Sequence, residues 1–312
     1  SFADPRAHYD SQQQQSLNER TTSRTVTVRN VNSFAKAVLL EQFIGDVRVR
    51  AGGESACLAA LDLGCGRGGD LKKVANSGVA HYCGVDISRV SLEKFVDRVG
   101  AMMKDVGRAK HGVLGKELPL REIILINADC WRDCLDSTLD AERVGSARVE
   151  ELGQAWFHLV TSQMSCHYAF ESRTSVETML RNVSSRLCEG GIFVGTIPDA
   201  TKIVAAHRAA MEQTGELKVG NPLFQMEFEP SEWAKVQAHH DLWEGRTVRH
   251  PGDVVFGVSY KFSLIDAIDS CKEPLVHFDA FRIMAKQHGL ALCLGPRPLI
   301  DFANDLQTNM KA

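Results

Sequence analysis

The sequence predicts an α/β fold: one mainly parallel sheet with helices on both faces. Three observations carry this reading. Residues 61–71, LDLGCGRGGDL, are an apolar strand that runs into a glycine cluster and then into a helix start. Strand-length apolar runs alternate with helix-length runs over about 140 residues, the pattern of right-handed crossovers in a parallel sheet. Chemistry-bearing residues fall at the expected carboxyl ends of the strands (62–69, Asp86, Asp129 and 163–168), where open parallel sheets bind ligands.

The elements follow in order. Residues 1–20 are polar, with a glutamine run at 12–15; Arg20, Arg24, Arg29 and Lys36, among few acids, make 1–36 locally basic. A polar, basic arm over residues 1–30 and a single domain over 31–312 are expected. Phe34, Val38, Leu39, Phe43 and Ile44 recur at helical spacing and predict a helix over 31–49, with a loop at 50–54. Strands are expected at 57–63, 81–85, 122–127, 155–162 and 190–196, with helices at 70–76, 90–104 and 175–187. Beyond Pro198 the pattern loosens to a helix at 201–213, strands at 222–228 and 254–262, a helix at 278–288 and a late strand at 289–294. Residues 229–253, with His239, His240, Trp243 and Pro251, read as a surface insertion. Two adjacent histidines without a third placed ligand are read as solvated, so no metal is expected.

Composition narrows the function. The net charge of −3 gives no global basic field, so a polyanion must be met by a local patch. The nine cysteines lack metal-ligand spacing; Cys130 and Cys134 are the nearest pair, and Cys57, Cys65, Cys166, Cys188, Cys271 and Cys293 read as reduced small core residues. Such usage suits a cytosolic or nuclear protein. No apolar run approaches 18 residues and no signal peptide is recognisable, so no membrane span is expected.

The glycine loop admits two readings. Gly64, Gly66 and Gly69 fit the dinucleotide pattern G-x-G-x-x-G; Asp62 with Gly64, Gly66 and Gly68 fits the acidic-x-G-x-G-x-G loop that holds S-adenosylmethionine (AdoMet). Asp62 favours the second. An acid two residues before the first glycine repels a pyrophosphate, whereas a sulfonium and an ammonium welcome a carboxylate. Asp86 is then placed to accept the ribose hydroxyls, and Asp129 the adenine amine.

Four segments together resemble one family: R-N-x-N-x-x-x-K from Arg29 to Lys36, LDLGCGRGGDL, SQMSCHYAFES at 162–172 and LRNVSSRLCEGGIFVGTIPD at 180–199. The family is the eukaryotic-type mRNA cap (guanine-N7) methyltransferase, and the likeness covers about residues 8–305. It implies a Rossmann-like class I AdoMet-dependent methyltransferase fold with a seven-stranded-type sheet. The strand with which the family ends, carrying an aromatic residue that packs on the cap guanine, is not found before Ala312. By this resemblance Lys36, Asp62, Gly64, Gly66, Asp86, Asp129 and Gln163 bind AdoMet, which leaves as S-adenosylhomocysteine. Asn32, Arg67, Arg98, His167, Tyr168 and Glu273 hold the cap guanosine and its triphosphate bridge. Arg67 stands where the family has Lys, Met164 where it often has Phe, and Trp131 where it often has a smaller aromatic or polar residue. The implied partner is capped RNA, with an activating subunit or a fused or associated capping guanylyltransferase as further candidates, and the implied location is the nucleus, with the cytoplasm as the alternative.

Guanine N7 has an exposed lone pair and no proton to lose, so methyl transfer to it needs no general base. Positioning and field carry the reaction. His167, Tyr168 and Glu273 then act by positioning, His167 as donor to guanine O6 and Glu273 as acceptor for N1–H and the amino group. Plainer readings stand beside these: His167 and Tyr168 as a core pair, Arg98 and Lys36 as solvated residues, Asn32 as a helix cap, and Glu273 as a loop acid. Two other functions remain: a methyltransferase for a small molecule or protein, and a non-catalytic module that binds AdoMet or the cap.

Overall fold

A computed structural model describes residue 10 and residues 23–109, 120–141, 157–244, 248 and 250–309. The arm over 1–22, apart from Asp10, lies outside the described residues. So does the start of the strand expected at 155–162.

The core is a five-stranded, wholly parallel sheet in the order β3-β2-β1-β4-β5. Its strands are β1 (Leu58–Leu63), β2 (Val79–Asp86), β3 (Glu122–Asn127), β4 (Phe157–Gln163) and β5 (Leu187–Thr196). All six residues of β1 are buried, as expected for a central strand covered on both faces. The helices are α1 (Val26–Arg50), α2 (Leu71–Asn76), α3 (Arg89–Ala109), α4 (Asp136–Ala141) and α5 (Arg173–Ser184). One face of the sheet packs on α1, α2 and α3 through Leu40, Ile44, Val74 and Phe95. The other packs on α4 and α5 through Leu139, Val176 and Met179. Strand direction and helix placement thus follow the expectation.

The expected arm ends inside α1, because the helix begins at Val26 rather than at Val31. Val28, Val31 and Phe34 there are exposed, so no apolar stripe marks this end.

The second half differs more. A four-stranded antiparallel sheet, β6 (Lys218–Gly220), β7 (Phe224–Glu227), β8 (Ser259–Leu264) and β9 (Ile268–Pro274), stands beside the parallel one. The strand expected at 222–228 is β7, which pairs with β6 as a hairpin, and Glu273 lies on β9 rather than on a loop. Helix α6 (Ala200–Thr214) precedes this sheet. Of residues 229–253, expected as a surface insertion, those described form α7 (Pro230–Ala238), α8 (His240–Trp243) and a short 3₁₀ turn. Trp233, Val236, Leu242, Trp243 and Val248 pack there with Phe228 and Tyr260. His239 and His240 are exposed, as read.

Helix α9 (Phe278–Gln287) matches expectation, but 289–294 is coil rather than a strand, and α10 (Leu299–Asn309) follows. Residues 291–298 are exposed and pair with no described strand. The described parallel sheet therefore has five strands rather than seven, with β5 at its edge. A groove of about 1270 Å³ runs between β5, α9 and this coil.

Candidate functional site

The glycine loop leaves β1 at Leu63 and is tied at once to β2: the amides of Gly64 and Cys65 both donate to the Val85 carbonyl (2.8 and 3.0 Å). Gly64 has φ +75°, and a Cβ there would lie 2.5 Å from Ser165 Oγ and 3.5 Å from the Trp131 ring. Gly68 has φ +70°, and its Cβ would sit 2.7 Å from the Phe95 ring. Both positions demand glycine twice over, by conformation and by space.

Asp86 ends β2 and closes the loop from below. Its Oδ2 accepts from Gly66 N at 2.7 Å and its Oδ1 from Ser88 N at 2.9 Å. Burial raises its pKa against these two amides. Asp62 is 2% exposed and accepts from Tyr82 Oη at 2.5 Å. Burial, and then the neighbouring Asp70 carboxylate, raise its pKa from 3.8 to about 7. A buried acid so poised is ready to meet a cation.

Lys36 does not stand in solvent. Its Nζ donates to Asp70 Oδ2 at 2.8 Å, and Lys73 Nζ lies 2.8 Å from Asp70 Oδ1. Burial alone would raise the Asp70 pKa; the two lysines hold it below the ordinary value. Asp70 flanks the start of α2, so an ion-pair cluster fastens the far side of the loop to α1. Asn32, half-buried, lies on α1 one turn before Lys36. The N-cap of α1 is Thr25, so Asn32 does not cap it. Arg98 on α3 donates to the Gly68 carbonyl at 3.1 Å, under the loop rather than on a solvated face. Arg67, within the loop, is half-buried.

Asp129 follows β3 and is drawn into local contacts. Its Oδ1 accepts from Trp131 N (3.1 Å), and its Oδ2 accepts from Arg132, which also clamps Glu171 at 2.6 Å through both Nε and Nη2. Gln163 ends β4, is buried, and donates to Thr161 Oγ1 at 2.9 Å. The chain then turns through Met164, which has φ +59°, is 44% exposed and is held through its amide by Thr196 Oγ1 at 2.8 Å. Ser165 Oγ donates to the Leu63 carbonyl at 3.0 Å, which joins the end of β4 to the glycine loop.

A 3₁₀ turn, Cys166–Glu171, carries His167 and Tyr168 next to this junction. His167 is 3% exposed, and neither ring nitrogen has a hydrogen-bond partner among the described residues. Burial lowers its pKa to about 3, so the ring is neutral. Its Nε2 lies 3.9 Å from Glu273 Oε1, and its ring packs on Tyr168 at 4.3 Å. Glu273 comes from β9. Its Oε2 accepts from Tyr260 Oη at 2.7 Å, and burial raises its pKa from 4.5 to about 7. Tyr168 Oη and Cys271 Sγ are 3.3 Å apart.

The fold thus gathers two adjoining sets. Asp62, Gly64, Gly66, Asp86, Lys36 and Gln163 surround the loop; His167, Tyr168 and Glu273 meet where the 3₁₀ turn after β4 packs on β9. Sequence reasoning missed Asp70, Tyr82 and Tyr260, which hold Lys36, Asp62 and Glu273. Only strand register brings the two tyrosines to their acids, and no local pattern encodes it: Tyr260 pairs with Glu273 across β8 and β9.

The loop fits AdoMet on its own chemistry. Buried carboxylates at Asp62 and Asp86 match its cations and ribose, and the positive-φ glycines leave the backbone bare for close approach. Among the described residues no group of His, Cys, Asp and Glu could hold a metal, and no helix is long and apolar enough to cross a membrane.

Comparisons with known proteins agree. The family model described as mRNA (guanine-N(7))-methyltransferase domain matches residues 4–311. Among curated relatives, the mRNA cap guanine-N(7) methyltransferase 1 of Oryza sativa subsp. japonica is 30% identical over 92% of this chain and 65% of its own length. The mRNA cap guanine-N(7) methyltransferase of Schizosaccharomyces pombe is 28% identical over 96% of this chain and 69% of its own. Other such relatives extend further, and the chain spans as little as 33% of one from Cryptococcus neoformans. A solved S-adenosylmethionine-dependent methyltransferase from Clostridium acetobutylicum is a loose likeness, with TM-score 0.46 and 12% identity over 87% of this chain and 86% of that one. With a family match over nearly its whole length, the chain belongs to the mRNA (guanine-N(7))-methyltransferase family.

Proposed function

We propose that this chain transfers a methyl group from AdoMet to N7 of the guanosine that caps messenger RNA. The observation that carries the reading is His167: a neutral, buried imidazole with both nitrogens unpartnered among the described residues, facing a buried carboxylate at 3.9 Å. Leaving such groups unsatisfied costs about 1–3 kcal/mol each, so the pair is shaped for a ligand that satisfies both. A guanine edge does so, offering O6 as acceptor beside N1–H and an amino group as donors.

When bound, AdoMet supplies an electrophilic methyl on a sulfonium. The rest falls to the chain's own residues. Asp62 and Asp86 bind and orient the cofactor's polar groups, with Gln163 at the strand end and Asp129 beyond β3. Lys36 acts through Asp70, by keeping the loop closed. His167 donates to guanine O6, Glu273 accepts from N1–H and the amino group, and Tyr168 packs beside them. The Glu273 carboxylate also offsets the positive charge that grows on the purine during transfer. Arg67, Arg98 and Asn32 lie on the loop side, where cations and amides suit the triphosphate bridge. No group need take a proton. Residues 31–312 act as one catalytic domain, capped RNA is the partner, and the reaction belongs with messenger-RNA processing in the nucleus.

The test is to incubate the chain with labelled AdoMet and GpppA-capped RNA, digest with nuclease, and look for the N7-methylated cap. Product is expected, and His167→Ala should raise KM for the cap more than KM for AdoMet. Absence of product with AdoMet bound, or equal loss of both affinities, refutes the reading.

A further inference from the structure

At the amino ends of the strands, opposite the glycine loop, three side chains stand in series. Cys57 Sγ lies 3.5 Å from His81 Nε2, and His81 Nδ1 lies 3.0 Å from Glu122 Oε2. The sheet places them. Ala59 pairs with His81 and His81 with Glu122, so the last two share a face; Cys57, two residues before Ala59, has the same parity. Cys57 is half-buried, and the His81 and Glu122 side chains are 12% and 32% exposed. The site is separate from the cofactor loop: six residues of strand at about 3.3 Å each put Cys57 about 20 Å from Leu63.

The order of the three atoms has chemical meaning. A carboxylate at Nδ1 fixes the imidazole proton there, which leaves the lone pair of Nε2 facing the thiol. This is a nucleophile, a base and an orienting acid within hydrogen-bond reach of one another. Most of the other cysteines are placed differently. Cys65, Cys83, Cys130, Cys166 and Cys271 are buried. Exposed Cys134 donates to the Asp136 carboxylate at 3.5 Å and faces no base. Exposed Cys293 sits on coil. A metal is a poor occupant, since the three groups lie in line rather than around a point, and no described group could hold one.

We propose that Cys57, activated by His81 and Glu122, is a modification site that undergoes thiol–disulfide exchange with small-molecule disulfides. The Cys57 thiol passes its proton to His81 Nε2. The thiolate attacks one sulfur of the disulfide; a new S–S bond forms to Cys57 as the old one breaks. The departing thiolate takes the electron pair and recovers the proton from His81. Cys57 is oxidised and half of the disulfide is reduced to a thiol.

The experiment treats the full chain with oxidised glutathione at neutral pH and follows each cysteine by peptide mass spectrometry. Cys293 in the same sample serves as the reference for an exposed, unassisted thiol, and buried Cys83 reports any unfolding. Cys57 is expected to form the mixed disulfide about tenfold faster than Cys293, because the neighbouring imidazole takes the thiol proton as the sulfur attacks. His81→Gln should remove that advantage, and Glu122→Gln should reduce it about threefold, with Cys83 unlabelled in both. The proposal is overturned if Cys57 reacts no faster than Cys293, or if its rate is unchanged in His81→Gln while Cys83 stays protected; the three groups would then only pin the strand ends. The outcome does not depend on methyl transfer.

Discussion

Asp62→Asn should make the cofactor-free protein more stable at alkaline pH while removing its grip on AdoMet. The buried carboxyl has its pKa raised from 3.8 to about 7 by burial and the nearby Asp70. Each tenfold change in proton affinity corresponds to about 1.4 kcal/mol, so keeping Asp62 ionised in the fold costs up to about 4 kcal/mol. The sign follows from linkage. Between pH 3.8 and about 7 the folded state holds the Asp62 proton while the unfolded state has lost it. This contribution therefore falls as pH rises through that window and is smallest above it. Asparagine mimics the protonated acid and keeps an acceptor for Tyr82 Oη, which now sits 2.5 Å from the carboxylate. Its amide group needs a new acceptor, worth about 1–2 kcal/mol if unmet. The expected net gain is about 2 kcal/mol at pH 8 and none at pH 5. Urea unfolding of both proteins at the two pH values measures it, and calorimetry with AdoMet measures the lost binding. If the variant is equally destabilised at pH 5 and pH 8, or binds AdoMet as before, Asp62 is not the strained, cation-seeking acid described.

Three further outcomes are expected. Glu273 has its pKa raised to about 7 by burial and must be ionised to offset charge on the purine; kcat/KM for capped RNA should rise with pH through about 7 to a plateau, and Glu273→Gln should lower and flatten that profile. Gly68→Ala puts a Cβ 2.7 Å from the Phe95 ring at φ +70°, so it should lower stability by about 2 kcal/mol and weaken AdoMet binding, read by thermal unfolding with and without ligand. Trp233→Ala removes a ring buried against Phe228 at 5.3 Å; a loss of about 3–5 kcal/mol in chemical unfolding is expected, and a loss below about 1 kcal/mol would restore residues 229–253 to a surface insertion.

The parallel half of the fold was legible because its signals are local. The glycine loop, the apolar β1 and the acids at strand ends each sit within a few residues of one another, and the sheet rule supplies the rest. The antiparallel half was not. β9, IDSCKEP, holds charged and polar residues that alternate poorly, and its pairing with β8 comes from contact between the two rather than from its own pattern. Residues 229–253 were misread for a related reason. Histidines and a proline suggested a surface segment, while the buried surface comes from two tryptophans whose neighbours, Phe228 and Tyr260, lie outside the segment. The apolar run at 289–294 misled the other way, since apolar residues form a strand only when a neighbouring strand offers its backbone, and none of the described strands does. At the site, residue types were readable but their supports were not: Lys36 looked like a solvated or ligand-binding lysine until Asp70 appeared beside it.

Helix α2 has only six residues, too few to persist without outside help. Its two ends are both held by α1: Lys36 grips Asp70 at the start, and Arg48 donates to the carbonyls of Ser77 and Gly78 at the finish, at 3.0 and 2.9 Å. The long helix works as a splint across the short one. Loosening either clamp would let the segment behind the loop fray while leaving every strand in place. Affinity for the cofactor can therefore be adjusted by substitutions on α1 that touch neither the ligand nor the sheet, a dial set apart from the parts it controls.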